Sequence, residues 1–177
     1  MKSTIKFTLL VFFIFSIFSI SLFAQWEVNI GGDIMLIINR DIENTSALVI
    51  AVNTSIADDF LSVYDKYSIA AVIFYSDKIK IENDYTLRIK KKSNNYITYS
   101  VASEDIIETD DSVYIGIGID TKNGVRANNL IKIFLDSVSV ELYDDDILLG
   151  NYNLKGLQEA LKENLGDTEW YNKEIKN

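Results

Sequence analysis

Ten short runs rich in β-branched and aromatic residues follow one another along this chain, at residues 26–30, 34–38, 47–52, 69–75, 78–82, 86–92, 96–102, 113–119, 138–143 and 147–153, separated by stretches rich in Asn, Asp and Ser. Side chains of this kind fit a pleated, half-buried surface, and polar turn formers between them reverse the chain. The pattern predicts an α+β fold built on a mainly antiparallel β-sheet system, a sandwich or half-open barrel. No proline, no Gly/Ser-rich tract and no internal repeat interrupts residues 25–177, so that stretch reads as one domain.

Apolar spacing changes from two to about three and a half in three places. Leu130, Ile131, Phe134 and Leu135 share one face over residues 128–135, and Leu157, Ala160, Leu161 and Leu165 do so over 154–165. Helices are expected in both, covering one face of the sheets. A shorter helix is expected where Ile56, Phe60, Leu61 and Tyr64 follow Thr54 and Ser55 as caps. The expected interior includes Val72, Phe74, Ile79, Leu87, Ile89, Tyr99, Ile115, Ile117, Leu130, Phe134, Val140, Leu142, Leu157 and Leu161.

Residues directly opposite in an antiparallel pair point to the same side of the sheet, which restricts the hairpins. A three-residue loop at 83–85 aligns Ile81 with Leu87 and Ile79 with Ile89. One at 93–95 aligns Ile89 with Tyr99 and Leu87 with Val101, and one at 144–146 aligns Leu142 with Leu148, Val140 with Gly150 and Val138 with Tyr152.

Residues 1–24 have the parts of an export signal: Lys2 and Lys6, an apolar run over 7–23, and Ala24 before Gln25. Cleavage after Ala24 is expected, giving a periplasmic or secreted domain with no membrane span. The alternative is an uncleaved anchor, because the apolar run is long for a signal and Leu22 is large for its position. Residues 1–24 hold two lysines and no acid, so their removal takes the net charge from −9 to −11. Such an acidic chain lacks the surplus of Lys and Arg that nucleic-acid phosphates require, and no nucleic-acid partner is expected.

With no Cys and no His, thiolate and imidazole chemistry is excluded, together with zinc-finger cages and disulfide frameworks. Neither a metal nor another cofactor is expected. The acidic turn Asp144-Asp145-Asp146 lacks the alternation, central Gly and closing Glu of a calcium loop, and Asp110-Asp111 beside Glu108 does no better. Gly116-Ile117-Gly118 lacks a third glycine; the Tyr114, Gly116 and Gly118 face is expected to take a packed helix. Acidic pairs such as Glu104-Asp105 and Asp58-Asp59 point to opposite faces of a strand and do not converge. No enzyme activity is expected.

The first candidate surface is cationic. The registers above set Lys80 opposite Arg88, Lys78 opposite Lys90 and Lys92 opposite Tyr96, on the face away from the core. Opposed like charges cost about 0.2–1 kcal/mol per pair. Such a stripe is either a solvated face that discourages edge pairing or a surface for an anionic partner.

At the C-terminal end, helix, strand, acidic turn and strand lead into Tyr152-Asn153-Leu154-Lys155-Gly156-Leu157, Ala160-Leu161 and Trp170, and Trp26 directly follows the apolar segment. This order resembles the closing segment of small exported bacterial proteins, the invasion-associated locus B family and an accessory family of type VI secretion loci among them. The resemblance implies a non-enzymatic, β-rich envelope or secreted domain. The expected function is an exported, non-catalytic accessory or binding domain of the bacterial cell envelope, its partner an envelope protein or an anionic envelope component. The alternative is a carboxylate-dependent hydrolase acting on envelope polymers.

Overall fold

A computed structural model describes residues 26–41, 45–58, 69–118 and 124–176. Among them ten strands form two antiparallel sheets. The strands are β1 (Glu27–Gly31), β2 (Ile34–Arg40), β3 (Ser46–Asn53), β4 (Ala70–Ser76), β5 (Tyr85–Lys91), β6 (Tyr96–Ser100), β7 (Ile106–Glu108), β8 (Val113–Ile117), β9 (Ser137–Asp144) and β10 (Ile147–Asn153). The larger sheet runs β1-β2-β3-β4-β8-β7, and the smaller runs β10-β9-β5-β6. The mainly antiparallel α+β arrangement read from the sequence is the one observed.

Register explains why these strands hold together. Ile37 lies opposite Ile50, Ile50 opposite Val72 and Val72 opposite Ile117, so four side chains form one row across the larger sheet. Leu48, Phe74 and Ile115 form the next row. In the smaller sheet Leu87 faces Leu142, and Ile89, Val140 and Tyr152 form another row. All of these side chains are fully buried, each contributing about 1.5–3 kcal/mol by leaving water. The Phe74 and Tyr152 rings, one from each sheet, meet at 5.8 Å between centroids. Of the expected interior, every residue is buried except Tyr99, which is half-buried because β6 is an outer strand.

Three α-helices accompany the sheets among the described residues. Helix α1 (Thr54–Ala57) is a single turn capped by Asn53, whose side chain accepts a hydrogen bond from Ser55 N; Phe60, Leu61 and Tyr64 lie outside the described residues. Helix α2 (Gly124–Leu135) begins four residues before the expected start, and α3 (Leu157–Leu165) begins three after it. A π-helical turn over Tyr171–Ile175 buries Tyr171 and Ile175. Trp170 beside it donates through Nε1 to Asn128 Oδ1 of α2 at 3.1 Å, tying the chain end to the core. Gly118 carries φ +85°, and a Cβ there would fall 2.6 Å from Ala127 Cβ of α2, so a helix does pack closely on this glycine.

One expected strand is absent. Residues 78–82 form a turn, because the Tyr85 hydroxyl accepts from Lys80 N at 2.6 Å and donates to Lys80 O at 3.0 Å. The phenol thereby takes the two backbone groups that a ladder would have used. Tyr85 is buried, and that burial holds its phenol above the ordinary tyrosine value, the Lys80 hydrogen bond opposing and Asp144 and Glu82 adding to the shift. Strand β5 pairs with β6 and β9 instead, so the alignment of Ile81 with Leu87 and Ile79 with Ile89 does not occur.

The other two hairpins shift in register: the first keeps its faces, whereas the second keeps them only beyond a bulge, so Leu148 pairs with Tyr143 rather than Leu142 and is exposed. The β5–β6 loop has three residues, 92–94, one earlier than expected, with Asn94 in the left-handed region at φ +65°. Lys91 N donates to Asn95 O at 2.8 Å across its base. Moving such a loop by one residue moves each partner by two, so Leu87 now faces Tyr99, Ile89 faces Ile97, and inward residues stay inward. The β9–β10 turn uses two residues, Asp145-Asp146, with Asp145 at φ +50°. Two residues alone would send β10 to the wrong face, and a bulge between Leu148 and Gly150 restores parity, setting Gly150 opposite Leu142 and Tyr152 opposite Val140.

Candidate functional site

The six residues of the expected cationic surface are not brought together as a stripe. Lys78 and Lys80 lie in the turn that follows β4, away from the β5 ladder. Arg88 sits between Thr98 and Glu141, an acid rather than a lysine, and its guanidinium stacks 4.3 Å over the Tyr96 ring. Lys90 lies between Tyr96 and Ser139. The outer face of the smaller sheet is thus a mixed polar surface with opposite charges across strands.

Lys92 leads to a different place. Its Nζ donates to Leu135 O, the last carbonyl of α2, at 2.8 Å, where a cation suits the negative end of the helix. From there a groove of about 400 Å³ runs between the end of α2, the start of β9, the end of β10 and the start of α3. Lys92 and Lys155 flank it; Leu135, Val138 and Leu154 give it apolar surface, and Ser137, Asn153, Gln158 and Glu159 give it polar groups.

Hydrogen bonds hold its walls in place. Leu154 N donates to Val138 O at 2.9 Å, and Lys155 N donates to Asn153 Oδ1 at 3.0 Å. Ser137 Oγ donates to Ile133 O at 2.6 Å. Gly156, at φ +86°, turns β10 into α3 in a conformation that a side chain would strain. Behind it the Trp26 indole donates through Nε1 to Lys155 O at 3.0 Å, fixing the first described residue to the wall of the groove. Lys92 belonged to the surface expected from the sequence. Lys155 did not, and its only signal was its place before Gly156 where a strand hands over to a helix.

Next to the groove, Lys91 Nζ meets Asp136 Oδ2 at 2.5 Å. The hydrogen bond and charge of Lys91, with help from Lys92, hold the exposed Asp136 carboxyl below its ordinary value. A lowered carboxyl favours the folded state above the ordinary carboxylate range and stops doing so as pH falls through the lowered value. Changing Lys91 to Met is therefore expected to move the Asp136 titration, followed by carboxyl NMR, back up toward about 3.9. An unchanged titration would show that the pair does not persist in solution.

A second cavity, of about 260 Å³, lies against the outer edge of β10 between Leu148–Asn151 and the side chains of Asp41, Thr45 and Lys78. The Asp41 carboxylate is engaged there by Thr45 N, Thr45 Oγ1 and Ser46 N. Glu104 and Asp105, expected on opposite faces of a strand, instead lie in a one-turn 3₁₀ segment (Ser103–Asp105), and both carboxylates converge on Arg126 Nη1 of α2, Glu104 Oε1 at 3.5 Å and Asp105 Oδ1 at 3.0 Å, where the guanidinium neutralises them. Burial opposes the charge of Arg126, but hydrogen bonds with Tyr99 and Asp105 and the Asp105 charge more than offset it, holding the guanidinium above its ordinary value.

No helix among the described residues is long and apolar enough to cross a membrane. Compared with known protein families, characterised proteins and solved structures, the chain matches none.

Proposed function

We propose that this chain is an exported, non-catalytic binding domain of the bacterial cell envelope, and that the groove between Lys92 and Lys155 receives an anionic group of its partner. The observation that carries this reading is the groove itself, a hydrogen-bonded concavity flanked by two ammonium groups on a chain of net charge −9. Ser137 and Asn153 serve the backbone that shapes it, and Lys92 Nζ is held at the end of α2. That division suits docking, where fixed positive charges select a partner, better than a reaction, where groups must exchange protons with substrate. The export-type segment before Trp26 and the resemblance of the closing segment to small exported proteins support the same reading.

The test is association of the exported chain with envelope fragments, followed by co-sedimentation. Changing Lys92 and Lys155 together to Glu is expected to reduce bound protein about tenfold or more, at about 1 kcal/mol for each lysine near an anionic surface. Wild-type binding is expected to fall as salt rises, since exposed charges are screened within about 10 Å at 0.1 M. Binding that ignores both salt and the double substitution would eliminate the groove.

A further inference from the structure

The groove sits where the chain leaves its apolar N-terminal segment. Phe23 ends the apolar run, and only Ala24 and Gln25 separate it from Trp26. Trp26 is buried, its Nε1 held by Lys155 O and its ring 3.5 Å from the position a Cβ would take on Gly156. Three residues of extended chain reach about 10 Å at most. In the uncleaved alternative, with residues 7–23 kept in a membrane, that span plus the Trp26 side chain and its hydrogen bond holds Lys155 and Gly156 within about 20 Å of the hydrocarbon, in reach of the head groups.

From this short tether we propose that the Lys92–Lys155 groove binds the phosphate of an anionic phospholipid head group, seating the domain with this face on the membrane that holds its N-terminal segment. The inference rests on the binding role proposed above for the same groove, and it names the occupant. Charge complementarity supports it locally: two lysines flank a cavity that also exposes Val138, with the carboxylate of Glu159 as the opposing charge in the wall. Without the tether, the acidic remainder of the chain and Glu159 work against any anionic surface. Held beside the lipid, the groove meets head groups at high effective concentration, and a weak site suffices. The far end of the domain is defined by the acidic turn Asp145-Asp146, separated from the groove by the whole of β10, about 20 Å along a seven-residue strand.

The experiment uses the full chain, residues 1–177, inserted in vesicles. Because the chain lacks cysteine, Gln158→Cys at the groove and Asp146→Cys at the far turn each accept one dye, and energy transfer to a head-group-labelled lipid reports proximity. In vesicles containing phosphatidylglycerol, transfer from position 158 is expected to exceed that from 146. Adding Lys92→Glu with Lys155→Glu, or replacing phosphatidylglycerol by phosphatidylcholine, is expected to shrink that difference, with the groove-down population falling about tenfold or more.

Equal transfer at both positions in the unaltered groove would overturn the proposal. So would a difference that persists after charge reversal and in neutral lipid, because the tether alone would then set the orientation. N-terminal mass analysis of the protein recovered from cells completes the test: a chain beginning at Gln25 would overturn the membrane-held arrangement. If lipid dependence is absent while charge reversal still abolishes association with envelope fragments, the binding role stands and the lipid occupant falls. Loss of neither would remove both.

Discussion

Replacing Gly150 by alanine is expected to destabilise the domain by about 2–3 kcal/mol, a cost typical of forcing one methyl into a packed interior. At about 2–4 °C per kcal/mol for a chain of this size, the melting temperature falls by about 5–10 °C. The new Cβ would press on Ser46 Oγ and the Tyr152 hydroxyl and lie 2.7 Å from Tyr152 Cζ. The Tyr152 ring has no room to yield, being fully buried against Phe74. The two hydroxyls are themselves a liability, since neither makes a hydrogen bond of good geometry. Tyr152→Phe is therefore expected to leave stability unchanged or raise it by up to about 1 kcal/mol, and to recover part of the loss in Gly150→Ala. Thermal melts of the three variants decide it; a Gly150→Ala protein that melts with the wild type would show that the neighbours give way freely.

The same tyrosine gives the variants a pH signature. Burial pushes the Tyr152 phenol well above the ordinary range, with the Ser46 hydroxyl opposing and the Asp41 charge adding to the shift. A phenol with a folded pKa above its unfolded value of about 10 favours the folded state fully below that pH and loses its contribution as pH rises beyond it. The alkaline loss of stability is thus expected to be shallower in Tyr152→Phe than in the wild type.

Much of the fold was legible because strand pairing obeys a parity that sequence carries directly. Apolar residues two apart in β3, β4, β5, β8 and β9 had to share a side, and they do, whatever the register. Register itself was less accessible. In the β9–β10 hairpin a two-residue turn plus a bulge gives, from Gly150 onward, the same faces as a three-residue loop, and alternation there cannot distinguish them. Residues 78–82 misled for another reason: their alternation is that of a strand, but a side-chain hydroxyl five residues on, from Tyr85, claims the backbone groups of Lys80. The candidate groove was half visible. Lys92 appeared as part of a cationic face, whereas its union with Lys155 depends on the end of β10 lying beside the end of α2, a tertiary fact without local periodicity. The start of α2 moved because its buried face extends back to Ala127, where a small residue replaces the large apolar side chains that mark periodicity.

Arg126 is the residue whose loss is expected to cost most. Its side chain reaches from α2 to the one-turn 3₁₀ segment Ser103–Asp105 and to β6, closing the sandwich between the two sheets. Nη1 donates to Asp105 Oδ1 at 3.0 Å while Nη2 donates to Asp105 Oδ2, and Nη2 also reaches the Tyr99 hydroxyl at 2.9 Å. The Asp105 side chain is only 5 % exposed against 27 % for Arg126, so removing the arginine leaves a buried carboxylate that water reaches poorly. An uncompensated charge of this kind costs about 3–5 kcal/mol, and the partial exposure of Arg126 places Arg126→Met near the lower end, about 3 kcal/mol. Asp105→Leu combined with Arg126→Met is expected to regain most of that loss, because the burden lies in the orphaned charge rather than in the pair. Arg126→Lys is expected to fall between, as one ammonium cannot serve both carboxylate oxygens and Tyr99 together. Denaturant titration of the four proteins, with unchanged slopes, measures the cycle. A loss below about 1 kcal/mol in Arg126→Met would mean that Asp105 is reached by water once the guanidinium is gone, and that the clasp between the sheets is carried by apolar contacts alone.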